Sequence, residues 1–186
     1  MTRLLPPSED ALSDEQRRVF EMIASGPRGK VRGPLAIWLH RPELAQAAQA
    51  LGAYCRYGSL LESRLSELVI LTMATLWKSE FEWWAHKPIA LKAGLSPDIV
   101  DALQHGAQPE FGDAEERIVH GVVVELTEQR QLSDTTYKEA QEILGADRLV
   151  DLIGVCGYYT LISMTINAFE VPLPDGEAAE LTSTRK

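Results

Sequence analysis

The stretch ESRLSELVILTMATLW, residues 62–77, decides the fold class, because after Glu67 it is almost wholly apolar. A helix that is apolar on most faces belongs at the centre of a helical domain, enclosed by its neighbours. A second stretch of the same kind, RLVDLIGVCGYYTLISMTINAF, covers residues 148–169. The two predict a central helix pair. Their surplus apolar surface predicts that a second subunit covers part of it.

Working outward, helix start and stop signals punctuate the rest of the chain. Ser13 with Gln16 forms a capping box, and Gly26 stops the helix that follows. Residues 27–34, PRGKVRGP, make a basic loop rich in glycine and proline. Pro42 opens a helix to Tyr57, ended by Gly58. Ser79 starts another to about Ala93, capped by Gly94. Ser96, Pro97 and Asp98 open a short helix to about His105, and residues 108–112 form a loop. Asp113 with Glu116 caps a helix to about Arg130, Ser133 starts one that Gly145 ends, and Asp147 starts the last, to about Phe169. No segment alternates with period two, so the chain reads as all-α. Three regions are expected: an N-terminal arm and helix (1–30), a helical domain (31–170) and an extended or frayed tail (171–186) holding Pro172, Pro174 and Gly176.

Composition narrows the function. The chain has 186 residues, 45% hydrophobic and 24% charged, which excludes wholesale disorder. Its formal charge of −9 argues against nucleic acid or an anionic membrane surface as the main partner. The two cysteines, Cys55 and Cys156, lie far apart with no CxxC, so neither a zinc ribbon nor a dithiol motif is present. Residues 1–10 lack the apolar core of a signal peptide, and the apolar runs 68–74 and 154–169 fall short of a membrane span. A soluble cytoplasmic protein is the expectation.

The chemistry concentrates in SEFEWWAH, residues 79–86. Glu82 and His86 are four apart and share a helix face. A carboxylate beside an imidazole raises its pKa and fixes its tautomer, so the pair can move a proton on and off a substrate carbon. Trp83 and Trp84 offer a dry wall. Glu67 sits in an apolar stretch, where a carboxylate needs a partner, and antiparallel helices would bring it to the Glu82–His86 face. Three readings compete with catalysis. Ser79 and Glu82 form a capping-box pattern, Glu116 and His120 repeat the same spacing, and Glu67 could pair with Arg64. Two carboxylates and one histidine could bind a metal, but the repeated Glu-x-x-His of di-iron bundles is absent, so no metal is expected.

The run RLSELVILTMATLWKSEFEWWAHKPIALKAGLS, residues 64–96, resembles the core of carboxymuconolactone decarboxylase-like proteins, a group that includes the alkylhydroperoxidase D type. Residues 33–61 and 149–169 are similar to the same group, so the resemblance covers roughly residues 30–170. In the peroxidase branch a Glu precedes Cys-x-x-Cys, and a His follows four after the second Cys. Glu67 and His86 match that Glu and His, whereas Ser79 and Glu82 stand at the cysteine positions. Serine and glutamate cannot reduce a hydroperoxide, so the resemblance implies a branch without dithiol peroxidase activity.

The decarboxylase branch carries acidic residues before the same His, as Glu80, Glu82 and His86 do here. That likeness implies a compact, oligomeric helical fold (trimer or hexamer) and cofactor-free chemistry on a small organic acid or lactone. His86 would donate the proton, Glu82 would orient it or serve as a second acid/base, and Glu67 would tune the pair. Trp83, Ser79, Glu80 and Arg64 would contact substrate, and Arg56, Arg64 or Lys87 would hold its carboxylate. The alternatives are a non-redox oligomeric scaffold, or a relative with residual peroxide-linked activity.

Overall fold

A computed structural model describes residues 2–181 and is all-α: among these residues there is no strand. After a short 3-10 turn at Glu9–Ala11 come α1 (Asp14–Ala24), α2 (Pro34–Trp38), α3 (Pro42–Ala53), a π-turn (Tyr54–Gly58), α4 (Ser63–Trp77), α5 (Glu80–Lys92), α6 (Pro97–Gln104), α7 (Ala114–Gln129) and α8 (Asp134–Phe169). The helix α4 is the axis. It packs against α5, α7 and α8, and Leu65, Leu68, Val69, Ile70, Leu71 and Ala74 are fully enclosed. The nearly uninterrupted apolar sequence is therefore explained by burial on every side.

The helix α8 carries the expected break. Gly145, at φ 76° and ψ 168°, leaves helical geometry, so the helix before it and the apolar one after it run in different directions. By length and composition α8 could cross a membrane, but most of its apolar stretch is buried inside this protein against α4 and α7.

Three expectations are corrected. The helix from Pro42 does not run regularly to Tyr57: it widens into the π-turn at Tyr54. Asp151 on α8 holds that turn, accepting from the Tyr54 hydroxyl at 2.6 Å and from the Leu60 N–H at 2.7 Å. Ser79 does not cap α5 with its side chain, and Glu82 turns elsewhere. The tail is docked rather than frayed up to Leu181. Glu180 accepts from Trp83 Nε1 (2.9 Å) and Lys87 Nζ (2.5 Å), while Glu80 accepts from the N–H groups of Glu180 and Leu181. Residues 182–186 of the expected tail lie outside the described residues, as does Met1.

The basic loop 27–34 turns at two positive-φ glycines, Gly29 and Gly33. Gly33 lies at φ 59° and ψ −137°, and a Cβ there would fall 2.4 Å from Phe81 Cε1. Gly29 has open space around it. In urea denaturation Gly33→Ala is expected to lose about 1–3 kcal/mol or more, since overlap adds to backbone strain. Gly29→Ala carries the strain alone and is expected to lose about 1 kcal/mol. Equal losses would contradict the seating of Phe81 on Gly33.

Candidate active site

The α4–α5 turn places Glu67 and His86 side by side. Lys78 adopts the left-handed conformation (φ 51°), reversing the chain between the two helices. His86 Nδ1 then lies 2.6 Å from Glu67 Oε2, and His86 Nε2 lies 3.0 Å from Glu82 Oε1. All three side chains are buried. The imidazole is thus held at both nitrogens by carboxylates, one from each helix. Tyr159 of α8 meets the ring edge-on at 5.4 Å between centroids.

Burial by itself would lower the His86 pKa, but Glu67 and Glu82 outweigh it and raise it to about 9. The resting group is therefore an imidazolium, with both N–H bonds donated to carboxylates. The same spacing at Glu116 and His120 gives a different result. Glu116 pairs with Arg64, while His120 packs on Phe111 and is kept below its ordinary pKa by burial alone.

A pocket of about 220 Å³ opens onto this cluster. Glu82 and His86 line it, together with Arg56 from the π-turn and Tyr158 and Tyr159 from α8. Burial works against the charge of Arg56, but Tyr159, Tyr57, Glu67 and Glu82 more than compensate and hold its pKa above the ordinary value. Both tyrosines stay neutral: burial pushes Tyr158 up to about 12 and Tyr159 well above its usual value. At the mouth stand Arg28, Lys30 and Arg32 of the basic loop. Arg28 reaches the Tyr158 hydroxyl at 3.4 Å, and Arg32 lies 4.9 Å over the Trp84 ring. Among the described residues none of these three nor Arg56 is ion-paired to a carboxylate. An acidic chain thus presents an unpaired positive mouth, which attracts and holds a small anion.

Of the residues singled out from sequence, Glu67, Glu82 and His86 come together. Four others lie elsewhere. Arg64 is bound to Glu116 and Asp113, and Trp83 is enclosed with its N–H on Glu180. Glu80 holds the tail backbone, and the buried Ser79 hydroxyl has no partner. Lys87 is committed to Glu180 and Gln104, which leaves Arg56 as the pocket cation among the three candidates. Sequence reasoning missed Arg28, Lys30, Arg32, Tyr158 and Tyr159. The available signals were a basic loop in an acidic chain and a Tyr-Tyr pair inside an otherwise aliphatic helix.

Neither cysteine serves the site as a nucleophile. Burial raises the pKa of Cys55 and pushes that of Cys156 up to about 12, so both remain thiols.

The fold is of the alkylhydroperoxidase D-like class. It is similar to an uncharacterized peroxidase-related protein from Silicibacter sp. TM1040, with TM-score 0.75 and 17% identity over 92% of this chain and 91% of that one. It is also similar to an uncharacterized peroxidase-related protein from Ralstonia eutropha JMP134, described as an alkylhydroperoxidase AhpD core. There the TM-score is 0.73 and the identity 15%, over 94% of this chain and 93% of that one. A protein of unknown function from Agrobacterium tumefaciens aligns at TM-score 0.64 and 17% identity, over 74% of this chain and 94% of its own. Residues 42–121 match the model of the carboxymuconolactone decarboxylase family, which shows the family resemblance over that segment. No curated protein matches the chain.

The raised His86 pKa has a consequence for stability. Because the folded value, about 9, exceeds the ordinary 6.5, the charged group stabilises the fold fully below pH 6.5. That contribution is lost as pH rises through about 9 and is on the order of 3 kcal/mol. Urea denaturation of the wild type between pH 6 and 10 is expected to show this loss, and His86→Gln to remove most of the slope. Parallel profiles for the two proteins would contradict the assignment.

Proposed function

We propose that this protein is a cofactor-independent acid/base enzyme that decarboxylates, or transfers a proton to, a small organic acid or lactone. The observation that carries the reading is the buried imidazolium between Glu67 and Glu82, with Glu82 and His86 both facing a pocket whose mouth is cationic. Such a cluster is charged to give a proton, not to take one. It favours reactions that generate a carbanion or dienolate and then need protonation at carbon.

The steps follow from that charge state. Arg56 holds the substrate carboxylate at the pocket floor, with Arg28, Lys30 and Arg32 neutralising a second anionic group at the mouth. The bond from the carboxylate to carbon breaks, carbon dioxide leaves, and the bonding pair remains as a delocalised anion. Arg56 and the neutral Tyr159 hydroxyl stabilise that anion. A proton passes from His86, directly or through Glu82, to the substrate carbon. Solvent then restores the imidazolium. No electrons are gained or lost overall, so the reaction requires no redox partner. Glu67, which does not line the pocket, keeps His86 oriented and charged.

The same reading includes self-association into a trimer or hexamer. Val150, Ile153, Gly157 and Met164 lie along one exposed face of α8, and Leu51, Tyr57 and Leu60 are exposed nearby in sequence to the Asp151-bound turn. A second copy would cover such a face. A monomeric mass by light scattering would remove this part of the reading.

Carbon dioxide release from unsaturated and lactone carboxylic acids, carboxymuconolactone among them, tests the activity. Wild type is expected to turn over at least one acid. His86→Ala and Glu82→Gln are each expected to lose about 10²–10⁴-fold in kcat, the usual worth of a positioned acid or base. Arg56→Met is expected to raise KM and to lower kcat as well, because Arg56 both holds the substrate carboxylate and stabilises the anion left by carbon dioxide. Turnover that survives in His86→Ala, with assembly unchanged, would sink the assigned roles, and no release from any acid by the wild type would leave the non-catalytic scaffold as the better reading.

A further inference from the structure

A second cavity, about 330 Å³, adjoins the first. Its walls come from the N-terminal segment, the helix α2, the helix α1 and the start of the tail, with Leu5, Pro7, Phe20, Ile37, Leu39 and Val171 among them. Glu9 and Arg32 are its only charged residues among those described. The two cavities share two wall residues, Phe81 and Arg32. Phe81 immediately precedes Glu82 on α5 and is seated on Gly33, so its ring stands between the acid/base cluster and an apolar space, with Arg32 and the helix α2 (Pro34 and Leu35 on the first cavity, Ala36 and Ile37 on the second) beside it. The cations that would hold an anion lie on the first side, at the mouth and on the π-turn, while the second side has almost nothing to bind a charge.

We propose that the substrate is amphipathic: a carboxylic acid whose reacting head sits between Arg56 and the Glu82–His86 pair, and whose apolar tail passes under Arg32 along Phe81 into the second cavity. This deepens the proposed function and rests on the first pocket being the reactive site. The chemistry of the walls dictates the division. The head needs cations and a proton donor. The tail gains by leaving water, at a rate set by apolar area buried. The occupant is the tail of the same molecule rather than a separate ligand, because the two cavities meet at shared side chains, Phe81 and the exposed Arg32. Phe81 therefore sets specificity by chain length, and Arg32 marks where head gives way to tail.

Straight-chain saturated carboxylic acids, from butanoate to dodecanoate, serve as non-reacting probes. Their binding is measured by calorimetry, with the weak short acids measured by competition against the longest. In wild type the affinity is expected to rise about three- to fourfold per added methylene and then level off once the cavity is filled. Ala36→Trp and, nearer the surface, Val171→Trp fill the second cavity. At least one that keeps the wild-type melting temperature is expected to flatten the series while leaving butanoate unchanged. Arg56→Met is expected to weaken every acid by a similar factor. A flat series in wild type overturns the inference. So does a rising series that Arg56→Met leaves untouched, because the head is then not in the first pocket. A rising series that responds to both kinds of variant, from a protein that releases no carbon dioxide from any acid, supports this inference while the proposed activity fails.

Discussion

An imidazolium enclosed between two carboxylates governs this structure. Neither a lone carboxylate nor a charged imidazole is tolerated far from water without compensation. Here each makes the others acceptable: Glu67 and Glu82 hold the buried His86 at both ring nitrogens, and the half-buried Arg56 lies near enough for both carboxylates to favour its charge. Removing one member leaves the rest uncompensated. The fold must therefore deliver α4, α5 and the π-turn to one place with little slack. The left-handed turn at Lys78 sets the first two against each other, and the carboxylate of Asp151 fixes the third. The apolar wrapping of α4 by α5, α7 and α8 keeps solvent away and leaves Glu67 no other partner.

Around this centre the charges are sorted. The chain is acidic as a whole, yet the loop 27–34 gathers three cations at the pocket mouth without ion-paired carboxylates among the described residues. Most of the other interior-facing cations are neutralised: Arg64 by Glu116 and Asp113, Arg148 by Glu115, and Lys87 by Glu180. Positive charge left unpaired in one place and matched in the others marks where an anion is to be held. Phe81 and Gly33 then separate that polar space from an apolar one.

The sequence made the helical architecture readable because burial and helix punctuation are local signals. The apolar run after Glu67, the cap at Ser13 and the break at Gly145 each carry their meaning within a few residues. The Glu82–His86 pair was legible for the same reason, as a spacing on one helix. What the spacing lacked was a way to tell it from Glu116 and His120, where Arg64 claims the carboxylate and the ring packs on Phe111 with no counterpart of Glu67. Pairings between distant segments were beyond reach. The choice of Arg56 over Arg64 and Lys87 depends on a π-turn held from α8, and Trp83 and Glu80 are diverted by a tail that docks about a hundred residues away in sequence. The basic loop was visible as composition, but its position over the pocket follows only from tertiary packing.

The protonation state of His86 is the claim on which the rest stands. Nitrogen NMR of the protein, with isotope in the histidine rings and His86→Gln to assign the signals, measures it directly. The account predicts that at pH 7.5 both His86 nitrogens carry protons, with the shifts of an imidazolium, and that the ring titrates near pH 9. A single-proton, neutral ring at pH 7.5 would contradict it, because a neutral imidazole could neither balance Glu67 and Glu82 nor stand ready to give a proton.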